Sequence, residues 1–154
     1  MDRRVVAAVA LGSNVGDRAS HLEYAIARLR RLLDDVRVST IHETTPVPPD
    51  PASSLFLNAA AVGTTVRGPR ELLDELLAIE RARGRERPFP NAPRTLDLDL
   101  ILFGGGRVDE PDLVLPHPRF RERRFVLEPL AEIAPDLRDP VTGLTVGELL
   151  HKVQ

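Results

Sequence analysis

The chain has 154 residues, 42% of them hydrophobic, with 21 basic against 23 acidic side chains and a formal net charge of −2. That suits one domain on one core, expected to span residues 1–154, and it offers no overall field for a nucleic-acid polyanion. The absence of cysteine excludes a disulfide framework and thiolate metal sites. No G-x-x-x-x-G-K-[ST] string occurs and the only lysine is Lys152, so any phosphate chemistry must rest on arginine forks.

The first element is Val5–Leu11, an apolar run read as a buried central strand. It is the longest apolar run, far too short to span a bilayer, and the residues before it do not make a signal peptide, so a cytoplasmic protein without membrane contact is expected. Gly12-Ser13-Asn14-Val15-Gly16-Asp17 follows with turn chemistry. It could cradle a phosphate between strand and helix, but a tight β-to-α connection is the preferred reading. An amphipathic helix then starts at Asp17, with Leu22, Ile26, Leu29 and Leu33 as its apolar stripe. Its cap is either Asp17 or a Ser20/Glu23 box.

Val36–Ile41 alternates and predicts a second strand. Four prolines between Pro46 and Pro51 rule out sheet or helix there and predict a functional loop. Phe56–Val66 predicts a third strand on which Phe56, Asn58, Ala60 and Val62 share a face. An aromatic ring beside an amide can stack on a flat heterocycle and read its edge, although a core phenylalanine beside a backbone-bonded asparagine is the plainer account. Pro69 opens a second helix that Gly84 ends, with Leu72, Leu73, Leu76, Leu77 and Ile79 buried. Glu80 lies near its C-terminal end, where the helix dipole disfavours a carboxylate unless something else requires it.

An irregular basic segment with Arg85, Arg87 and Arg94 leads into Leu96-Asp97-Leu98-Asp99-Leu100-Ile101-Leu102-Phe103. Period two places Leu96, Leu98, Leu100 and Leu102 on one face, and Asp97, Asp99, Ile101 and Phe103 on the other. Carboxylates roughly 6.6 Å apart along one strand face can converge on one Mg²⁺ or on two; a solvated acidic face is the alternative. A second basic segment, Pro116 to Phe125, carries His117, Arg119, Arg121, Arg123 and Arg124. Two cationic segments around a carboxylate pair suit a metal-bound polyphosphate, against the simpler account of surface charge neutralisation. His21, His42 and His151 are read as surface or packing groups. The remainder predicts a helix from Val126 to Ile133, a turn over Asp139–Gly143, and a last helix from Val146 to His151 behind a Thr145/Glu148 capping box.

Taken in order, Ala10-Leu11-Gly12-Ser13-Asn14, Thr45-Pro46, Phe56-Leu57-Asn58, Glu80, Gly84-Arg85, Pro93-Arg94-Thr95-Leu96-Asp97-Leu98-Asp99, Pro116-His117 and Arg123-Arg124-Phe125 resemble the 6-hydroxymethyl-7,8-dihydropterin pyrophosphokinases of folate biosynthesis. The resemblance implies an α+β ferredoxin-like fold, an antiparallel sheet with helices packed on it. It also implies an ATP-dependent transfer of pyrophosphate to the pterin hydroxymethyl group with release of AMP. By matched position, Asp97 and Asp99 would hold two Mg²⁺, and Arg85, Arg94, His117 and Arg123 would act on the triphosphate. Glu80 and Arg87 would border ATP. Phe56 and Phe125 would sandwich the pterin, and Asn58 with Thr45, Pro46 and Val47 would read its edge. Leu77, Asn91-Ala92 and Pro118 depart from residues common on the nucleotide side of the family. A monomer acting on small molecules is expected, without nucleic acid. A single-stranded RNA module on the same fold would want a basic sheet face with several aromatics, where this chain has acids; a catalytically silent relative is the third reading.

Overall fold

The computed structural model describes residues 4–14, 16–44, 55–83 and 95–153. In chain order its elements are β1 (Val5–Ser13), α1 (Arg18–Leu32), β2 (Asp34–Val38), β3 (His42–Thr44), β4 (Phe56–Thr65), α2 (Pro69–Ala82), β5 (Asp97–Phe103), β6 (Val108–Glu110), β7 (Leu113–Leu115), a 3-10 turn (Phe120–Glu122), α3 (Arg124–Ile133) and α4 (Val146–Lys152). The main sheet has the order β2-β4-β1-β5, and β3 continues along β4 beside β2. All its pairings are antiparallel. This is the α+β ferredoxin-like arrangement.

Period two splits the central strand between two cores. Ala7, Val9 and Leu11 face a core with Leu22, Leu29, Leu72 and Leu76 of α1 and α2, joined by Leu96, Leu98 and Leu100. Ala8 faces the other, with Ala60, Val62, Phe120, Leu127, Leu130 and Leu149. On this second face α3 lies mainly across β4. Side chains such as Leu29 and Leu127 have no exposed surface, and truncating one to alanine costs about 2–5 kcal/mol.

Several expectations need correction. Gly12 and Ser13 belong to β1, paired with Asn58 and Leu57; the turn is made at Gly16, whose φ is +71°. Asp17 is the helix cap, accepting the Ser20 N–H at 3.2 Å. The strand expected over Val36–Ile41 is instead β2, which begins earlier at Asp34 and stops at Val38, and a separate β3 starts at His42. Between them Ser39 is buried; its N–H still donates to the Ala60 carbonyl at 2.9 Å, but the Ala60 N–H goes to the Ser39 hydroxyl, also at 2.9 Å, so a side chain takes over one half of the backbone pairing there. The hairpin β6–β7 was not anticipated; both strands are three residues long and surrounded by turn residues.

The alternation along β5 also fails beyond Leu100. Val9 pairs with Leu100 but Ala8 with Leu102, leaving Ile101 as an extra residue, a β-bulge. Leu102 therefore joins Ile101 in the second core, and Phe103 packs against the first.

Candidate active site

Two cross-strand rows make the floor of the site. Gly12 on β1 stands opposite Asn58 on β4 and Asp97 on β5, and His42 on β3 extends that row beyond Asn58. In the next row Ala10 stands between Ala60 and Asp99. With strands about 4.8 Å apart, Asn58 and Asp97 lie about 10 Å apart across a glycine. The middle strand contributes only Ala10 and Gly12 here, so little rises between the amide and the carboxylate.

Asn58 is 5% exposed, and its orientation is set by its neighbour: Nδ2 donates to the Thr44 hydroxyl at 2.7 Å. A Cβ built on Gly12 would lie 3.5 Å from Asn58 Oδ1, so the oxygen leans over the floor as an acceptor. Phe56 lies two residues away on the same face, opposite Thr44.

Asp97 and Asp99 face this floor because Leu96, Leu98 and Leu100 are buried on the other side. The edge of β5 is fixed by Glu80, 2% exposed, whose Oε2 accepts the Leu98 N–H at 2.7 Å. At the entry to β5 the Ser13 hydroxyl donates to the Thr95 carbonyl, and the Thr95 hydroxyl donates to the Arg83 carbonyl at 2.8 Å. The bulge fixes the next group: the His117 N–H donates to the Ile101 carbonyl at 2.9 Å. Burial pushes the His117 imidazole below its ordinary pKa, Arg123 adds to this, and Asp97 opposes it. Nδ1 accepts the Arg119 N–H at 3.3 Å, so the neutral ring carries its proton on Nε2 as a donor. Arg123 is the residue before α3, and its guanidinium lies 5.6 Å from the centroid of the Phe125 ring, itself 40% exposed. Asp97, His117 and Arg123 thus share one electrostatic neighbourhood at the amino end of α3, which favours an anion.

A sequence profile of the 7,8-dihydro-6-hydroxymethylpterin-pyrophosphokinase (HPPK) family matches residues 8–135. The chain belongs to this family. It is 42% identical over 140 residues to the 2-amino-4-hydroxy-6-hydroxymethyldihydropteridine pyrophosphokinase of Bacillus subtilis, covering 90% of this chain and 83% of that one. The corresponding protein of Synechocystis is 41% identical, with 96% and 75% covered. Among solved structures, a Plasmodium falciparum HPPK-DHPS matches with a TM-score of 0.78 at 16% identity, covering 99% of this chain and 46% of that one. That likeness concerns the fold alone. HPPK-family membership makes the chain an ATP-dependent pyrophosphokinase.

Of the residues expected from sequence, Phe56, Asn58, Asp97, Asp99, His117, Arg123 and Phe125 are all on the α3 side of the sheet or at the start of α3. Glu80 lies behind β5, on its backbone. Thr45, Pro46, Val47, Arg85, Arg87 and Arg94 lie outside the described residues. Thr44 escaped the sequence reading, although a threonine two places from a strand histidine shares its face and is a ready partner for a neighbouring amide. Asp139 escaped it as well, taken only as a turn residue. It has no exposed surface; Arg121 donates to it through Nε and, at 3.1 Å, through Nη2, which secures the 3-10 turn between His117 and Arg123.

Proposed function

We propose that Asp97 and Asp99 hold Mg²⁺ on the phosphates of ATP, that His117 and Arg123 face the same phosphates, and that Phe56, Asn58 and Phe125 hold the pterin ring. The family reaction moves a pyrophosphoryl group from ATP to the hydroxymethyl group of 6-hydroxymethyl-7,8-dihydropterin, in folate biosynthesis, releasing AMP. The observation that carries this assignment is the row Asn58, Gly12, Asp97. It sets an edge-reading amide and a carboxylate about 10 Å apart on one open floor, a span suited to a pterin whose hydroxymethyl group points at a metal-bound phosphate.

The donor set fits magnesium. Asp97 and Asp99 stand in adjacent rows of one face, and Mg²⁺ is commonly held by one or two carboxylates with phosphate oxygens and water completing its shell. Two ions are expected, and when bound they neutralise phosphate charge and align the β-phosphorus. His117 offers a neutral N–H and Arg123 a fixed positive charge to the oxygens that gain charge during transfer. Asn58 Oδ1 accepts from the ring edge, and Phe56 and Phe125 take the two faces. Arg85, Arg87 and Arg94 add cations on the ATP side, which Glu80 borders, while Thr45, Pro46 and Val47 complete the pterin edge. In-line transfer needs alignment and charge neutralisation more than a strong base.

The domain is read as a monomer that works in the cytoplasm; sedimentation tests the first part. The function itself is tested by AMP formation from ATP, Mg²⁺ and the pterin. Folded protein that forms no AMP overturns it.

A further inference from the structure

α3 carries Phe125 in its first turn and is fastened to the sheet at its last. Glu132 accepts the Thr40 N–H at 2.7 Å, the Thr40 hydroxyl at 2.8 Å and His42 Nε2 at 2.9 Å. These bonds hold its carboxyl below the usual range, the Thr40 amide foremost, then His42 and the Thr40 hydroxyl. An ionised carboxylate can only accept, so His42 carries a proton on Nε2. The helix dipole disfavours a carboxylate at this end, and three donors, the Thr40 N–H with the Thr40 and His42 side chains, offset it.

The spacing gives this contact its reach. Phe125, Glu128 and Glu132 fall at i, i+3 and i+7, on one stripe of α3. Glu128 lies 4.0 Å from His42 Nδ1 and accepts from Arg124 Nε at 2.8 Å. Alongside, the chain from Thr40 runs through His42, opposite Asn58, to Thr44, opposite Phe56. Seven residues of helix advance about 10 Å and four of strand about 13 Å, so the stripe that begins on Thr40 ends near the level of Phe56.

We propose that Glu132 is a positioning residue for the pterin: by bonding Thr40 and His42 together it fixes the seating of α3 on β3, and with it the height of Phe125 over Phe56. This rests on the reading that Phe125 stacks on the pterin, and the test separates the two. Glu132→Ala, Glu132→Gln, His42→Ala, Phe125→Ala and the Glu132→Ala/Phe125→Ala double variant are compared. The measurements are KM for the pterin and for ATP, and pterin binding by its own fluorescence. With Glu132→Ala, KM for the pterin rises about tenfold, as expected for a lost aromatic contact, and KM for ATP stays within about twofold. Glu132→Gln recovers most of the loss, because its amide oxygen still accepts from Thr40. The double variant is little worse than Phe125→Ala alone, since a misplaced ring and a missing ring lose the same stack. An unchanged pterin KM, equal rises in both KM values, or full additivity in the double variant overturns the proposal. If Glu132→Ala does not fold, His42→Ala decides it by the same KM comparison. Phe125→Ala with normal pterin binding sinks the stacking assignment, whereas a Phe125→Ala defect with no effect at Glu132 or His42 sinks the positioning role alone.

Discussion

The Leu98 N–H points away from β1 and donates to Glu80 Oε2 at 2.7 Å, so a helix side chain closes the edge of the strand between Asp97 and Asp99. Both carboxylates of the floor hang from a backbone fixed at its midpoint. Glu80→Ala leaves that buried amide without its acceptor and should cost about 1–3 kcal/mol in denaturant unfolding, with a fall in turnover. Glu80→Gln keeps an acceptor oxygen and should lose less than half as much. Equal stability of Glu80→Ala and wild type would show that the bond does not hold the edge.

Asp97→Asn and Asp99→Asn preserve size and remove a metal-seeking charge from the floor. Each should lower turnover by about 10²-fold or more, with far-UV circular dichroism unchanged, because transition-state charge stabilisation is worth several kcal/mol. Near-normal AMP formation by either variant would remove that residue from the metal site.

At Gly12 a Cβ would lie 3.5 Å from Asn58 Oδ1 and 3.9 Å from the Leu57 carbonyl oxygen, ordinary contact distances. Gly12→Ala should therefore fold, with stability within about 1 kcal/mol of wild type. It should nevertheless weaken pterin binding by filling the space between Asn58 and Asp97. Unfolding of the variant, or unchanged pterin affinity, would contradict this account of the floor.

Burial alone would raise the Asp139 carboxyl, but Arg121, the Thr142 hydroxyl and the Val141 amide outweigh it and hold the pKa at about 2, from an ordinary 3.8. A carboxyl depressed in the folded state stabilises the fold above its unfolded pKa. That contribution is lost as pH falls from about 4 to about 2, and the shift corresponds to about 2 kcal/mol. Thermal melts across this range should show wild type losing its advantage over Asp139→Asn. If the gap between the two stays constant with pH, Asp139 is not the group responsible.

The first half of β5 was legible because a buried leucine at every second position leaves the carboxylates only one direction; on β4 both faces are apolar, and the shared face of Phe56 and Asn58 follows from period two alone. The second half of β5 was not legible, since a bulge inserts one residue without changing the composition of the run. Glu80 and Glu132 carried the same signal, a carboxylate in the last turn of a helix against the dipole. The spacing singles out Glu80 but not Glu132, and leaves His42 a surface or packing group, because the partners are donors on or beside strands distant in sequence: Leu98, Thr40 and His42. Such pairings follow from how a helix crosses a sheet, which one-dimensional spacing does not encode. The β6–β7 hairpin was hidden by glycine and proline around strands too short to alternate visibly.

The supernumerary Ile101 makes β5 tolerant of one kind of genetic change and intolerant of another. Swapping Ile101 for valine or leucine changes a little volume in the second core, whereas deleting its codon would straighten β5 into a regular ladder, with Leu102 still opposite Ala8 and Phe103 opposite Ala7, and would remove the Ile101 side chain from the second core. The deletion would also discard the carbonyl that receives the His117 N–H. Length at this point is thus under tighter constraint than identity, and natural variants should be point changes, not indels.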